Sequence, residues 1–241
     1  MKKIVFSVFF LFLMVSITNA QIFNKFSIAI GPVFGLNYPS VTDLNSEMKK
    51  IGIPEFPTGG FFSTGIGGFI DIPVIKGLRI GGTGYGYSYD RSVPTINSTT
   101  KIVQYSYSGG GITIEYAKKI SDSFDYTLGA VLGLGSLSLN ISQFSNDLKN
   151  WNIIQISPDS VSSSKYTTSK FKTKVYSLTP QAGIGFQAAS FLYFKLNGGY
   201  MLSAQSTWKL EDELEVSNVP SGIKADGFMF NFGVYVGLFV K

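Results

Sequence analysis

The sequence predicts an all-β protein, an eight-stranded antiparallel up-and-down barrel that crosses a membrane with its strands. Three observations predict it. Hydrophobic residues make up 44% of the chain and charged ones 15%, yet after residue 20 the apolar residues alternate instead of forming a run long enough for a membrane helix. The alternating segments read as eight strands. Their connections switch strictly between short turns and long loops, which a soluble sandwich has no reason to do.

Met1 to Ala20 carries two lysines, an apolar run from Ile4 to Ile17, and small or polar residues before Gln21, so it reads as a secretory signal peptide with residues 21–241 forming one barrel domain. The chain has no Cys, so neither a lipid anchor nor disulfides are expected. Removal of Lys2 and Lys3 lowers the net charge from +5 to +3, and no Lys/Arg cluster stands out, which argues against nucleic acid as a partner.

The first strand is expected from about Lys25 to Asn37, with Pro32 calling for a bulge because it lacks a ladder donor. Tyr38 to Thr58 reads as a long outer loop holding a short helix, capped by Thr42, with Leu44, Met48 and Ile51 on one face and Gly52 at its end. Strand two, Gly60 to Ile72, leads through the Pro73 to Gly77 turn into strand three, Leu78 to Tyr89. There Tyr85, Tyr87 and Tyr89 suit an interfacial aromatic girdle, with a lumen lining as the alternative.

After an outer loop at Arg91 to Thr100, strand four spans Lys101 to Tyr116, and its three consecutive glycines, Gly109 to Gly111, suggest a bulge or bend. A short turn, Ala117 to Ser123, precedes strand five, whose alternation blurs near Ser136. Gln143 to Lys170 reads as the largest outer loop. Strands six (Phe171 to Ala188) and seven (Leu192 to Ser203) flank the turn Ala189 to Phe191, and Ala204 to Ala225 forms the fourth outer loop, with Trp208 and an acidic run.

The closing strand, Asp226 to Lys241, puts Phe228, Phe230, Phe232, Val234, Val236 and Leu238 on one face and glycines, Asn231 and Tyr235 on the other. An unbroken apolar face opposite a small, partly polar one fits lipid outside and a narrow lumen inside. Asn231, Gly233, Val236 and Leu238 resemble the C-terminal assembly signal of bacterial outer-membrane barrels, although Val240 and Lys241 replace the usual terminal aromatic. With the signal peptide, the IDIPVIKGLRI turn and the PQAGIGFQ segment, the mature chain resembles the outer membrane protein beta-barrel domain family, small eight-stranded barrels of OmpA/OmpX shape. That resemblance implies a cell outer-membrane location, lipids and the barrel-assembly machinery as partners, and no cofactor.

Charged residues on the lumen parity, Lys25, Asp71, Arg79, Glu115, Asp125 and Lys195, must be paired to be tolerated there. Arg79 is expected to bridge Asp71 and Glu115, with Lys195 and Asp125 extending the network one layer outward. The chain has no His, which excludes the His-dependent chemistry of known outer-membrane phospholipases, deacylases and omptin proteases, so no catalytic or metal site and no enzyme activity is expected. The leading expectation is a structural or surface-interaction barrel whose outer loops meet surface or envelope protein partners. The alternative is a transport or secretion-accessory role, as a narrow pore or a subunit of an export machine.

Overall fold

The computed structural model describes residues 27–94, 99–145 and 166–239, so the expected signal peptide and Lys25 lie outside the described residues. The strands are β1 (Ser27–Pro39), β2 (Phe61–Asp71), β3 (Leu78–Pro94), β4 (Thr99–Lys119), β5 (Phe124–Ser145), β6 (Tyr166–Ala189), β7 (Leu192–Gln205), β8 (Trp208–Leu210), β9 (Leu214–Val216) and β10 (Gly227–Phe239); one helix, α1, spans Thr42–Lys50. Each of β1 to β6 pairs antiparallel with its successor, β7 pairs with β10, and β10 pairs back on β1, closing an eight-stranded ring. Closure removes every sheet edge at membrane depth, where a free backbone donor would find no water. β8 and β9 form a small hairpin added to the outer part of β6.

One end carries the tight turns. Ile72 donates its backbone N–H to Leu78 O and Gly77, at φ +82°, accepts from Ala117, while the next turn closes through Ile120 N–H to Phe124 O and through Ser121 Oγ. In barrels of this architecture the short turns face the periplasm and the long connections face outside.

The outward parity makes an apolar band, with Ile30, Phe62, Ile66, Ile112, Leu132, Leu134, Ile184, Leu196, Phe230, Phe232 and Val236 all exposed. Exposed side chains of this size in a continuous belt need a hydrocarbon solvent. Phe232→Arg should therefore cost about 2–4 kcal/mol in a lipid bilayer, as read from denaturant unfolding of the refolded barrel in vesicles. Glycine-rich inward positions let the rings inside lie flat: the Tyr107 hydroxyl occupies the space a Cβ would need at both Gly109 (2.5 Å) and Gly135 (2.7 Å).

The β3–β4 and β4–β5 registers run through Gly109 to Gly111 unshifted, so the three glycines make no bulge. Pro32 likewise produces no bulge. It faces outward, the β1–β2 register is continuous across it, and the missing rungs fall on the β10 side, where Ile30 pairs with Val236 and Val33 with Gly233.

The four strands β3 to β6 continue well beyond the band, and there the two faces exchange character. On β5 the outward residues pass from Leu132 and Leu134 to Ser136, Ser138 and Asn140, while the inward ones pass from Gly133 and Gly135 to Leu137, Leu139 and Ile141. The blur near Ser136 is this inversion, the point where water replaces lipid as the outer solvent. The third outer loop is accordingly shorter than Gln143 to Lys170, since β5 reaches Ser145 and Phe144 pairs with Tyr166; its residues 146–165 lie outside the described residues, as do 95–98 of the Arg91 to Thr100 loop.

Against the concave side of this extension pack α1 and the segment after β7. Leu44 and Met48 of α1 are buried with Val41, Ile53 and Phe56 against Tyr87, Val103, Tyr105, Leu137 and Val175, and Trp208, Ile223 and Ala225 complete the cluster. Two details of the helix differ from expectation. Its N-cap is Val41 and no side-chain cap bond forms, so Thr42 is the first helical residue and not the cap; Ile51 is the C-cap, past the last helical residue, and is exposed. Tyr87 packs in this inner cluster and Tyr85 and Tyr89 lie against it, so the three tyrosines take the lumen alternative over the interfacial girdle.

Candidate functional site

The lumen is filled at two levels with a small void between them. Near the periplasmic end, Arg79 is almost fully buried, and its guanidinium lies over the Phe69 ring (4.1 Å to the centroid) and beside Tyr193 (5.3 Å). Nε donates to Asp71 Oδ1 (2.8 Å), Nη1 to the Tyr193 hydroxyl (3.0 Å), and Nη2 reaches Asp125 Oδ2 at 3.7 Å; the Tyr193 hydroxyl in turn donates to Asp125 Oδ1 (2.7 Å). The forked cation thus joins two carboxylates and two aromatic faces, a geometry that Lys cannot reproduce. Around it sit Ala29, Val33, Tyr235 and Phe239, which exclude water from that end.

Glu115 stands opposite Arg79 in the β3–β4 register, yet the two do not pair. Its carboxylate accepts from Lys195 Nζ (2.6 and 2.5 Å to Oε1 and Oε2) and from Gln181 Nε2 (2.8 Å). The expected bridge from Arg79 to Glu115 is therefore replaced by two separate sets, Arg79 with Asp71 and Asp125, and Lys195 with Glu115. The cause is the barrel's curvature and shear: inward side chains converge across the lumen, so partners 80 residues apart, Glu115 and Lys195, meet more readily than register neighbours. Tyr193, which carries the hydroxyl linking Arg79 to Asp125, is a member the sequence analysis does not single out; its inward parity between Leu192 and Phe194 is the signal that could find it.

Beside the Glu115–Lys195 pair lies a small cavity of about 40 Å³, lined by both of them and among others by Thr113, Val131, Ser177, Thr179 and Asn197. Room for a few waters is all that volume supplies. Above it the lumen closes again with rings packed edge-on or tilted: Tyr85 against Tyr107 (5.7 Å), Tyr87 against Phe61 (5.7 Å), and Phe56 against Phe61, Tyr89 and Tyr105 (6.1 to 6.4 Å). The Phe56 segment is fixed on α1 by Asn45, whose Nδ2 donates to Phe56 O (3.0 Å) and whose Oδ1 accepts Phe56 N–H (2.8 Å). Asp226 Oδ1 accepts from the Ser203 N–H and hydroxyl, tying the last outer segment to β7. The fourth outer loop is thus an ordered lid element and not a free loop.

The β8–β9 hairpin joins β6 by ladder pairing, to which Asp212 adds ion pairs with Lys172 (3.1 Å) and Lys170 (3.6 Å). The Lys172 hydrogen bond, aided by the Lys170 charge, holds the Asp212 carboxyl below the usual carboxylate range. A depressed acidic group contributes stability above its unfolded value near pH 4, and loses it as pH falls through the lower folded value. Hydrogen exchange in the hairpin should therefore quicken below about pH 4 while the β1–β10 seam stays protected.

Of the four residues matched to the assembly signal, Val236 and Leu238 face outward and are exposed, whereas Asn231 and Gly233 face the lumen. Gly233 is required sterically, since the Tyr235 ring lies over it within 2.3 Å of where a Cβ would stand. Among the described residues no group of His, Cys, Asp or Glu converges to hold a metal ion.

No protein-family model matches the sequence, and no curated protein matches it in sequence. Solved structures similar to it include the outer membrane protein OprG from Pseudomonas aeruginosa (10% identity, 89% of this chain and 97% of that one, TM-score 0.43). Others are the attachment invasion locus protein Ail of Yersinia pestis (10%, 88% and 96%, TM-score 0.37) and the outer membrane protease OmpT from Escherichia coli (9%, 88% and 94%, TM-score 0.34). At TM-scores this low none of these likenesses bears on function, and the assignment rests on the closed ring and the outward apolar band. By that architecture the chain is an eight-stranded antiparallel transmembrane β-barrel.

Proposed function

We propose that this protein is a closed, non-enzymatic barrel that serves as a surface-interaction platform, reaching the outer membrane by cleavage of its signal peptide after Ala20. The observation that carries the reading is the packing of Val41 to Phe56 and of Trp208 to Ala225 into the outer mouth, which turns the extension of β3 to β6 into one rigid body standing outside the bilayer. A rigid, pre-ordered surface binds without the ordering cost that a flexible loop incurs. The Arg79 and Glu115 sets serve in this reading as a permanent structural plug, and Asn231, Gly233, Val236 and Leu238 present the closing strand to the barrel-assembly machinery. The absence of His leaves the His-dependent outer-membrane chemistries without their base.

The test is site-specific photocrosslinking on intact cells. Probes at Ser106 and Glu213 on the extension should capture a surface or envelope component, and probes at the periplasmic turn residues Lys76 and Ser121 should not. Capture at the turns alone would overturn the platform and favour a subunit of an export machine.

A further inference from the structure

The outward face of β6 carries a row of lysines at the level where its apolar band ends. Tyr176 and Leu178 are exposed on the band, and the same parity continues outward as Lys174, Lys172 and Lys170. Lys172 is paired in register with Lys209 of β8, which places a fourth ammonium on the same face. Across β5 and β4 the same rows continue as Ser136 and Ser108, as Ser138 and Ser106, and as Asn140 and Gln104. A flat array of hydroxyls, amides and ammonium groups thus begins where hydrocarbon contact stops.

Depth selects the lysines that matter. A strand tilted about 45° climbs roughly 2.4 Å per residue along the membrane normal, so Lys174 and Lys172 stand roughly 5 and 10 Å beyond Tyr176, and Lys170 roughly 14 Å. The polar layer of a leaflet is only about 5–8 Å thick beyond the hydrocarbon, which matches Lys174 and, through the length of its side chain, the Lys172–Lys209 row. Among the described residues Lys174 and Lys209 close no ion pair, and Glu215 stands opposite Lys209 in register without closing one; Lys170 and Lys172 share the carboxylate of Asp212. Asp212 is the nearest competitor for an incoming anion, and it draws on the outer part of the row.

We propose that Lys172, Lys174 and Lys209 form a binding site for the phosphate groups of outer-leaflet glycolipid. The occupant follows from continuity with the lipid-facing band, because whatever molecule covers Leu178 with its chains presents its headgroup to Lys174, and from the complementarity of ammonium and phosphate. The site rests on the barrel's orientation in the membrane and not on the platform reading.

The test is native mass spectrometry of the full detergent-solubilised chain titrated with bisphosphorylated lipid A, with its dephosphorylated form, and with lipid A in the presence of inorganic phosphate. Replacing Lys172, Lys174 and Lys209 together by Gln should weaken lipid A binding at least tenfold, while the triple Arg replacement, Lys170→Gln, and the periplasmic pair Lys118→Gln/Lys119→Gln should bind as the parent does. Dephosphorylated lipid should bind the parent as weakly as lipid A binds the triple Gln variant, and millimolar inorganic phosphate should not displace lipid A. Unaltered heat-modifiable migration of each variant verifies that the barrel is folded. Equal lipid A binding by parent and triple Gln variant, equal loss in the Lys118/Lys119 variant, or displacement by free phosphate would each overturn the assignment.

Discussion

Replacing Lys195 by Met should lower the unfolding free energy of the barrel by about 3–5 kcal/mol, the range for removing one partner of a buried ion pair. Lys195 and Glu115 are each less than 5% exposed, and the ammonium is the only cation that the Glu115 carboxylate contacts among the described residues. Removal leaves Gln181 as the one remaining donor to a carboxylate held between aromatic rings and β-strands, which is too little to offset its desolvation. Taking away both charges tells a different story. The double variant Lys195→Met/Glu115→Gln strands no charge, so it should recover most of the loss. Urea unfolding in lipid vesicles checks both, and equal destabilisation of the single and double variants would show that packing, not charge, sets the cost.

Phe56→Ala should cost about 3–5 kcal/mol, but locally. Phe56 is 1% exposed and sits among Phe61, Tyr89 and Tyr105, so truncation opens a cavity where α1 meets the mouth of the barrel. The ladder hydrogen bonds of the ring do not pass through it. Protease cleavage after Lys49 or Lys50 should accordingly rise by about two to three orders of magnitude while the barrel keeps its heat-modifiable migration. Glu47→Ala, at a partly exposed helix position just before the same cleavage sites, should change neither.

The lipid-facing half of the fold is legible in the sequence because a membrane imposes one simple rule, period-two alternation with apolar residues outside. β10, β6 and β7 obey it over their whole buried length, so Phe230, Phe232, Leu196 and Ile184 are readable as outward residues. Beyond the band the rule reverses, since water on the outside restores the ordinary pattern of polar out and apolar in. A reader applying one rule to the whole chain meets Ser136 and Gln143 as a breakdown and ends the strand early. The same reversal explains Tyr87, which lies where a girdle would stand but belongs to the core of the part outside the bilayer.

Site residues were legible as a set and not as pairs. Parity places Asp71, Arg79, Glu115, Asp125 and Lys195 inside, because charge on the lipid face is costly. Partner choice depends on how shear brings distant strands together across a narrow lumen, and no local spacing encodes it. Gly109 illustrates the same limit: its missing side chain reads as a break in the strand when the Tyr107 ring it makes room for is not yet in view.

The central claim is that the barrel is sealed twice, by the Arg79 and Glu115 sets toward the periplasm and by the Phe56 cluster toward the outside. Ion conductance of the purified full chain in a planar bilayer tests it most directly. A sealed barrel gives no discrete current steps at 100 mV across the bilayer, a potential worth about 2.3 kcal/mol per elementary charge and too little to separate the paired charges. Sustained current steps from the unaltered protein would contradict the account and return the lumen to the role of a pore.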